Sequence, residues 1–206
     1  MKRTLCLVGV MATATVFAQV SPTAQGFLIR TSVPSGKTLQ YELNVADQLA
    51  GAPAFPTRSV VQVRAKTASQ LEVALGLQKP RLVAASSTQI LPWVNGTIPF
   101  GAIQFSPKAV RSGGTWTHAA TYPGLSSGAK LTWTLVRVAS GSAELRCELM
   151  GEGTRASVVG RGTLVLDSAN GLMRSWKWDE QLTTYASTNT YNGVINRRRV
   201  SLVRKS

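Results

Sequence analysis

Nucleophilic catalysis is the first chemistry the residues raise. Gly124-Leu125-Ser126-Ser127-Gly128 fits the G-x-S-x-G pattern. That pattern works where a strand-to-helix turn exposes the serine and a downstream histidine takes its proton. Here the segment leads into a run that reads as a strand, and the single histidine, His118, lies upstream. A Ser/Gly turn is the expectation, with His118 a polar surface or loop residue. Gly36-Lys37-Thr38 has the ending of a phosphate loop, but Thr31 stands where the leading glycine is needed, and a strand follows instead of a helix. One histidine and, beyond the leader, one cysteine (Cys147) cannot build the usual nitrogen and sulfur metal sets. Asp179 and Glu180 are adjacent on a strand candidate and so face opposite sides. The sequence therefore predicts no catalytic residue, no metal and no cofactor.

Binding chemistry is better represented. Trp176 and Trp178 lie two apart and share a face, and Trp133 sits between Leu131 and Leu135. Large aromatics at this spacing either fill a β core or line a concave apolar site. Trp133, Trp176 and Trp178 are accordingly the candidate ligand-lining set. Arg197, Arg198 and Arg199, with Arg204 and Lys205, place five cations in the last ten residues. On a strand, Arg197 and Arg199 take one face, while Arg198 takes the other with Val200 and Leu202. Three successive arginines cannot all occupy a dry face. They predict a sheet edge or rim guarded against pairing, and are the candidates for contact with an anionic surface.

These candidates sit in a strongly basic chain of 206 residues with formal charge +14. Residues 1–18 read as a secretory signal peptide: Lys2 and Arg3 lead an apolar core ending at Val16-Phe17-Ala18. Cleavage after Ala18 would leave a single domain over residues 19–206, with Lys2 and Arg3 removed and the charge reduced from +14 to +12. The expected location is exported, periplasmic or extracellular. In that setting a basic protein meets lipid head groups or acidic polysaccharide sooner than nucleic acid. No nucleic-acid partner is expected; a lipid or other amphiphile and an anionic membrane surface are. Cys147 falls on an apolar face and reads as a small core residue.

The elements that must position these side chains are strands. Ala143, Leu145, Cys147 and Leu149 alternate with Glu144, Arg146 and Glu148, the period of a half-buried sheet. The same grammar recurs over Thr38–Val45, Ser59–Lys66, Leu71–Leu77, Lys130–Val138, Leu172–Tyr185 and Val194–Lys205. Arg81–Ala85 and Gln89–Trp93 are limited by prolines and read as edges or bends. Arg155–Val159 and Thr163–Asp167 read as two strands with a bulge or bend at Gly160 and Gly162 between them. Asn95-Gly96, Asn170-Gly171 and Asn192-Gly193 are turn signals. The count predicts an all-β, single antiparallel domain of about ten strands, as a curved sheet, half-barrel or up-and-down barrel.

The box Pro107-x-x-Val110-x-x-Gly113-x-x-Trp116, then a hairpin, Gly160-x-Gly162 and Asp167-x-x-x-Gly171, resembles a group of uncharacterised exported bacterial β-rich envelope proteins. The resemblance covers roughly residues 100–185. It implies a β-rich envelope protein without an assigned activity. More distantly, the layout is similar to periplasmic lipoprotein-carrier folds, in which a curved sheet holds acyl chains. The sequence reading is thus a non-enzymatic binding or carrier module for an apolar or amphiphilic envelope component. Its alternative is a structural or interaction β protein with a closed core.

Overall fold

The structure is a computed structural model and describes residues 20–31, 33, 36–49, 55–67, 70–84, 89–90, 103–122, 125, 128–185 and 194–205. Residues 1–18, the Asn95-Gly96 and Asn192-Gly193 turn signals, and Ser126 and Ser127 lie outside the described residues. Among those described the protein is all-β, with fourteen strands and no helix. Ten strands form one antiparallel curved sheet: β3 (Thr38–Gln48), β4 (Phe55–Thr67), β5 (Gln70–Leu75), β6 (Arg81–Ala84), β9 (Thr115–Ala120), β10 (Ala129–Ala139), β11 (Ser142–Glu152), β12 (Ala156–Asp167), β13 (Met173–Thr184) and β14 (Val194–Arg204). Their order is β6-β5-β4-β3-β14-β13-β12-β11-β10-β9, so the sheet has two free edges and does not close into a barrel. Two short hairpins stand apart, β1 (Val20–Thr23) with β2 (Gly26–Ile29) and β7 (Gln89–Ile90) with β8 (Ile103–Gln104).

Alternation writes the sheet directly. On β11 the apolar set is buried and Arg146, Glu148 and Met150 are exposed. Tyr41 and Leu43, Val61 and Val63, and Leu71 and Val73 continue the same buried face across β3, β4 and β5. Ser140 and Gly141, at φ 50° and 74°, make the two-residue turn between β10 and β11. Positive φ at both positions twists the turn to match its strands, which is why Gly is used there. The Pro107–Trp116 box acts structurally: Val110 exchanges backbone hydrogen bonds with Phe27, and Gly113 and Gly114 bond to Leu135.

Three expectations are corrected. Gly160 and Gly162 do not bend the chain. Strand β12 runs unbroken through them, with Gly160 opposite Leu149 and Glu180, and Gly162 opposite Cys147 and Trp178. They are glycines because indole rings lie over them. A Cβ at Gly162 would stand 2.7 Å from ring atoms of both Trp176 and Trp178, and one at Gly160 would strike the Trp178 ring. Second, the final strand is not an edge. It is zipped between β13 and β3, because the last strand pairs with the first strand of the large sheet. His118 is not in a loop but on β9, with the parity of Trp116 and Ala120. Ahead of the large sheet, strand β1 pairs with β2. The expected edge at Arg81 is observed as β6.

Candidate functional site

The inner face of the sheet carries the candidate ligand-lining residues. Trp116 on β9 is opposite Trp133 on β10. Trp133 is opposite Cys147, Cys147 opposite Gly162, and Gly162 opposite Trp178. The small residues in the middle of this row let indoles from both sides meet over them. Trp116 and Trp133 have ring centroids 6.3 Å apart and nearly parallel planes. Trp133 and Trp176 are 6.0 Å apart, and Trp176 and Trp178 5.6 Å apart. The result is a ladder of four indoles crossing the concavity, in the offset range where aromatic pairs attract. Trp133, Trp176 and Trp178 are thus brought together, with exposures of 0%, 1% and 3%. Trp116, named in the sequence only as part of the box, is the fourth member.

Above the ladder runs a polar row. Leu149, Gly160, Glu180, Arg198 and Asp47 are cross-strand neighbours on the same face, and His118 and Leu131 extend the row to β9. Glu180 is buried. It accepts a hydrogen bond from the Tyr122 hydroxyl at 2.5 Å and one from Trp178 Nε1 at 3.0 Å. Arg198 grips Asp47 through two bonds, Nε to Oδ1 at 2.7 Å and Nη2 to Oδ2 at 3.1 Å. Asp47, with further help from Glu180, holds the guanidinium in its charged form. Burial, then the Glu180 carboxylate, pushes the Tyr122 phenol well above its ordinary range, so it remains a donor.

Several polar atoms of this face have no hydrogen-bond partner among the described residues. They are both ring nitrogens of His118, Nε1 of Trp133 and Oδ1 of Asn196, all buried. Burial lowers the His118 pKa and keeps the ring neutral. A buried polar group without a partner costs about 1–3 kcal/mol. Such atoms are uncommon in folded proteins and mark places where a ligand or water completes the set.

The three terminal arginines divide. Arg198 joins the inner row, whereas Arg197 and Arg199 stand exposed on the outer face, Arg199 beside Asp179 at 3.6 Å. Sequence reasoning separated Asp179 from Glu180 correctly but missed the part Glu180 plays. Its signal was a carboxylate occupying an apolar slot, in the alternation Trp176, Trp178, Glu180, Leu182. Tyr122 and Asp47 gave no local signal. Among the described residues no group of histidine, cysteine or carboxylate side chains could hold a metal ion.

No family model and no curated protein matches the chain. Among solved structures it is similar to one described as "Lipid-protein interactions in lipovitellin", at TM-score 0.55 and 8% identity. The likeness covers 85% of this chain and 26% of that one, so this chain spans about a quarter of the lipovitellin chain. At that identity the likeness is one of fold.

Proposed function

We propose that the protein binds an apolar or amphiphilic molecule in the concavity of its sheet. The observation that carries this reading is the inner face itself. It is one continuous apolar surface bearing a four-indole ladder, crowned by the Glu180–Arg198–Asp47 row and by unpartnered polar atoms of His118 and Trp133. An amphiphile matches this division, its chain against the indoles and its polar end at the row. The similar fold of lipovitellin, described in terms of lipid–protein interactions, points the same way. The binding is non-enzymatic, and its setting is an exported compartment, on the strength of the leader-like residues 1–18.

A second reading has its own observation. Trp133, Trp176 and Trp178 are buried against one another, which suits a sheet packed shut as a structural or interaction protein. Native mass spectrometry of protein purified from an exporting host separates the two. Binding predicts a co-purifying amphiphile or uptake of an added fatty acid. A clean apo mass with no uptake selects the packed-shut reading.

A further inference from the structure

The outer face of the same sheet holds a second arrangement. Two depressions, of about 490 and about 390 Å³, lie there side by side and share Arg161 and Asp179. Arg146 on β11, Arg161 on β12 and Lys177 on β13 surround the larger one. Thr163 separates Arg146 from Lys177 in register, and Arg161 is two residues from Thr163 on the same face. None of the three cations has an ion-pair partner among the described residues. Arg161 stands between Glu148 and Asp179 in register, Arg199 follows Asp179 in that row, and Arg197 lies in the next row, opposite Gln181. The row of Arg146, Thr163, Lys177, Ser201 and Asn44 carries two cations and no carboxylate, so its charge is open to an anionic partner.

The smaller depression is of different character. Met150 and Val159 are opposite each other in register and 67% and 51% exposed. A partner fitting both must offer negative charge and apolar surface within one sheet's width. An acidic polysaccharide offers only the charge. No exposed aromatic lines either depression to stack on nucleic-acid bases.

We propose that this outer face docks on an anionic bilayer, with Arg146, Arg161 and Lys177 taking lipid phosphates and Met150 and Val159 entering the interface between head groups and chains. Cations near a charged membrane add attraction individually and are screened by salt. The site is on the opposite face from the proposed amphiphile site and does not rest on it.

The test is co-sedimentation with phosphatidylcholine vesicles, with and without phosphatidylglycerol, at low and high salt. Parent protein should bind the anionic vesicles alone, and more weakly as salt rises. The triple variant R146Q/R161Q/K177Q should weaken binding about tenfold or more. A control with the same charge loss at other exposed sites, K79Q/R81Q/K108Q, should bind nearly as the parent does. Met150→Ser with Val159→Ser should remove the binding that survives high salt. Equal loss in both triple variants would reduce the effect to net charge and overturn the site. So would heparin binding that depends on the three cations while vesicle binding does not, since that would make the surface a polyanion site.

Discussion

The Tyr122 hydroxyl meets the Glu180 carboxylate at 2.5 Å, although β9, which Tyr122 follows, and β13, which carries Glu180, are separated in the sheet by β10, β11 and β12. Four flat strand spacings would hold them about 19 Å apart at about 4.8 Å each. The bond is made because the chain after β9 folds back over the inner face, where Leu125 also reaches Gly151 of β11, and it ties that segment to β13 above the indole ladder. Tyr122→Phe should lower stability by about 1–3 kcal/mol, because it leaves a buried carboxylate short of a donor. Urea denaturation of Tyr122→Phe, Glu180→Gln and the double variant checks this. Additivity within about 0.5 kcal/mol would mean the two groups are not coupled.

The glycines beneath the ladder give a second expectation. Gly160→Ala places a methyl group against the Trp178 ring, and overpacking of this kind costs about 1–3 kcal/mol. Trp178→Phe removes the ring atoms that the methyl group meets. The cost of Gly160→Ala, read from denaturation midpoints, should therefore shrink in the Trp178→Phe background. An equal cost in both backgrounds would assign the glycine to the backbone instead.

His118 sets a pH dependence. Its folded pKa lies below the ordinary 6.5 because burial disfavours the charged ring. Below pH 6.5 the unfolded chain takes up a proton that the folded chain refuses, so stability is fully present above 6.5 and is lost as pH falls toward the folded value. The slope can reach about 1.4 kcal/mol per pH unit for one proton. Between pH 7.5 and 5.5 stability should fall, and His118→Phe should flatten the fall. Glu42 does not interfere: its interactions with Lys205, Arg58 and Asn44 hold its pKa at about 2, below that range. A parent whose stability is constant across the range would show the ring to be solvated.

Cys147 is fully buried, and burial raises its thiol pKa far above the ordinary range. The thiolate is the reactive form, so the folded protein should resist a thiol reagent at pH 8 and react on unfolding in urea. Rapid labelling of native protein would contradict its place between Trp133 and Gly162. Cys147→Ser should cost about 1–3 kcal/mol, since it puts an unpartnered hydroxyl on a dry face.

What the sequence makes legible follows from the range of the interaction. The period of two on β11 needs only neighbouring residues, and so do the faces of Trp176, Trp178 and Asp179. Arg198 was beyond such reasoning, because its partner Asp47 is 151 residues away. The central place of β14 depends on the same long closure onto β3. Gly160 and Gly162 look like breakers when read along β12. They are explained only by rings from β13, whose orientation over the neighbouring strand is a fact of packing. The basic outer surface was half legible: Arg197 and Arg199 are visible as a run, but Arg146, Arg161 and Lys177 come together only through strand register.

The central claim is that an acyl chain lies against the indole ladder, and bromine reports it directly, since a brominated chain quenches tryptophan emission only on close approach. Tryptophan fluorescence would be titrated with a fatty acid brominated at mid-chain and with its unbrominated counterpart, in the parent and in R146Q/R161Q/K177Q. The account predicts saturable quenching by the brominated acid alone, equal in both proteins, because the ladder and the outer cations lie on opposite faces. Unchanged emission in the parent throughout the titration would contradict it and leave the sheet a packed-shut structural domain.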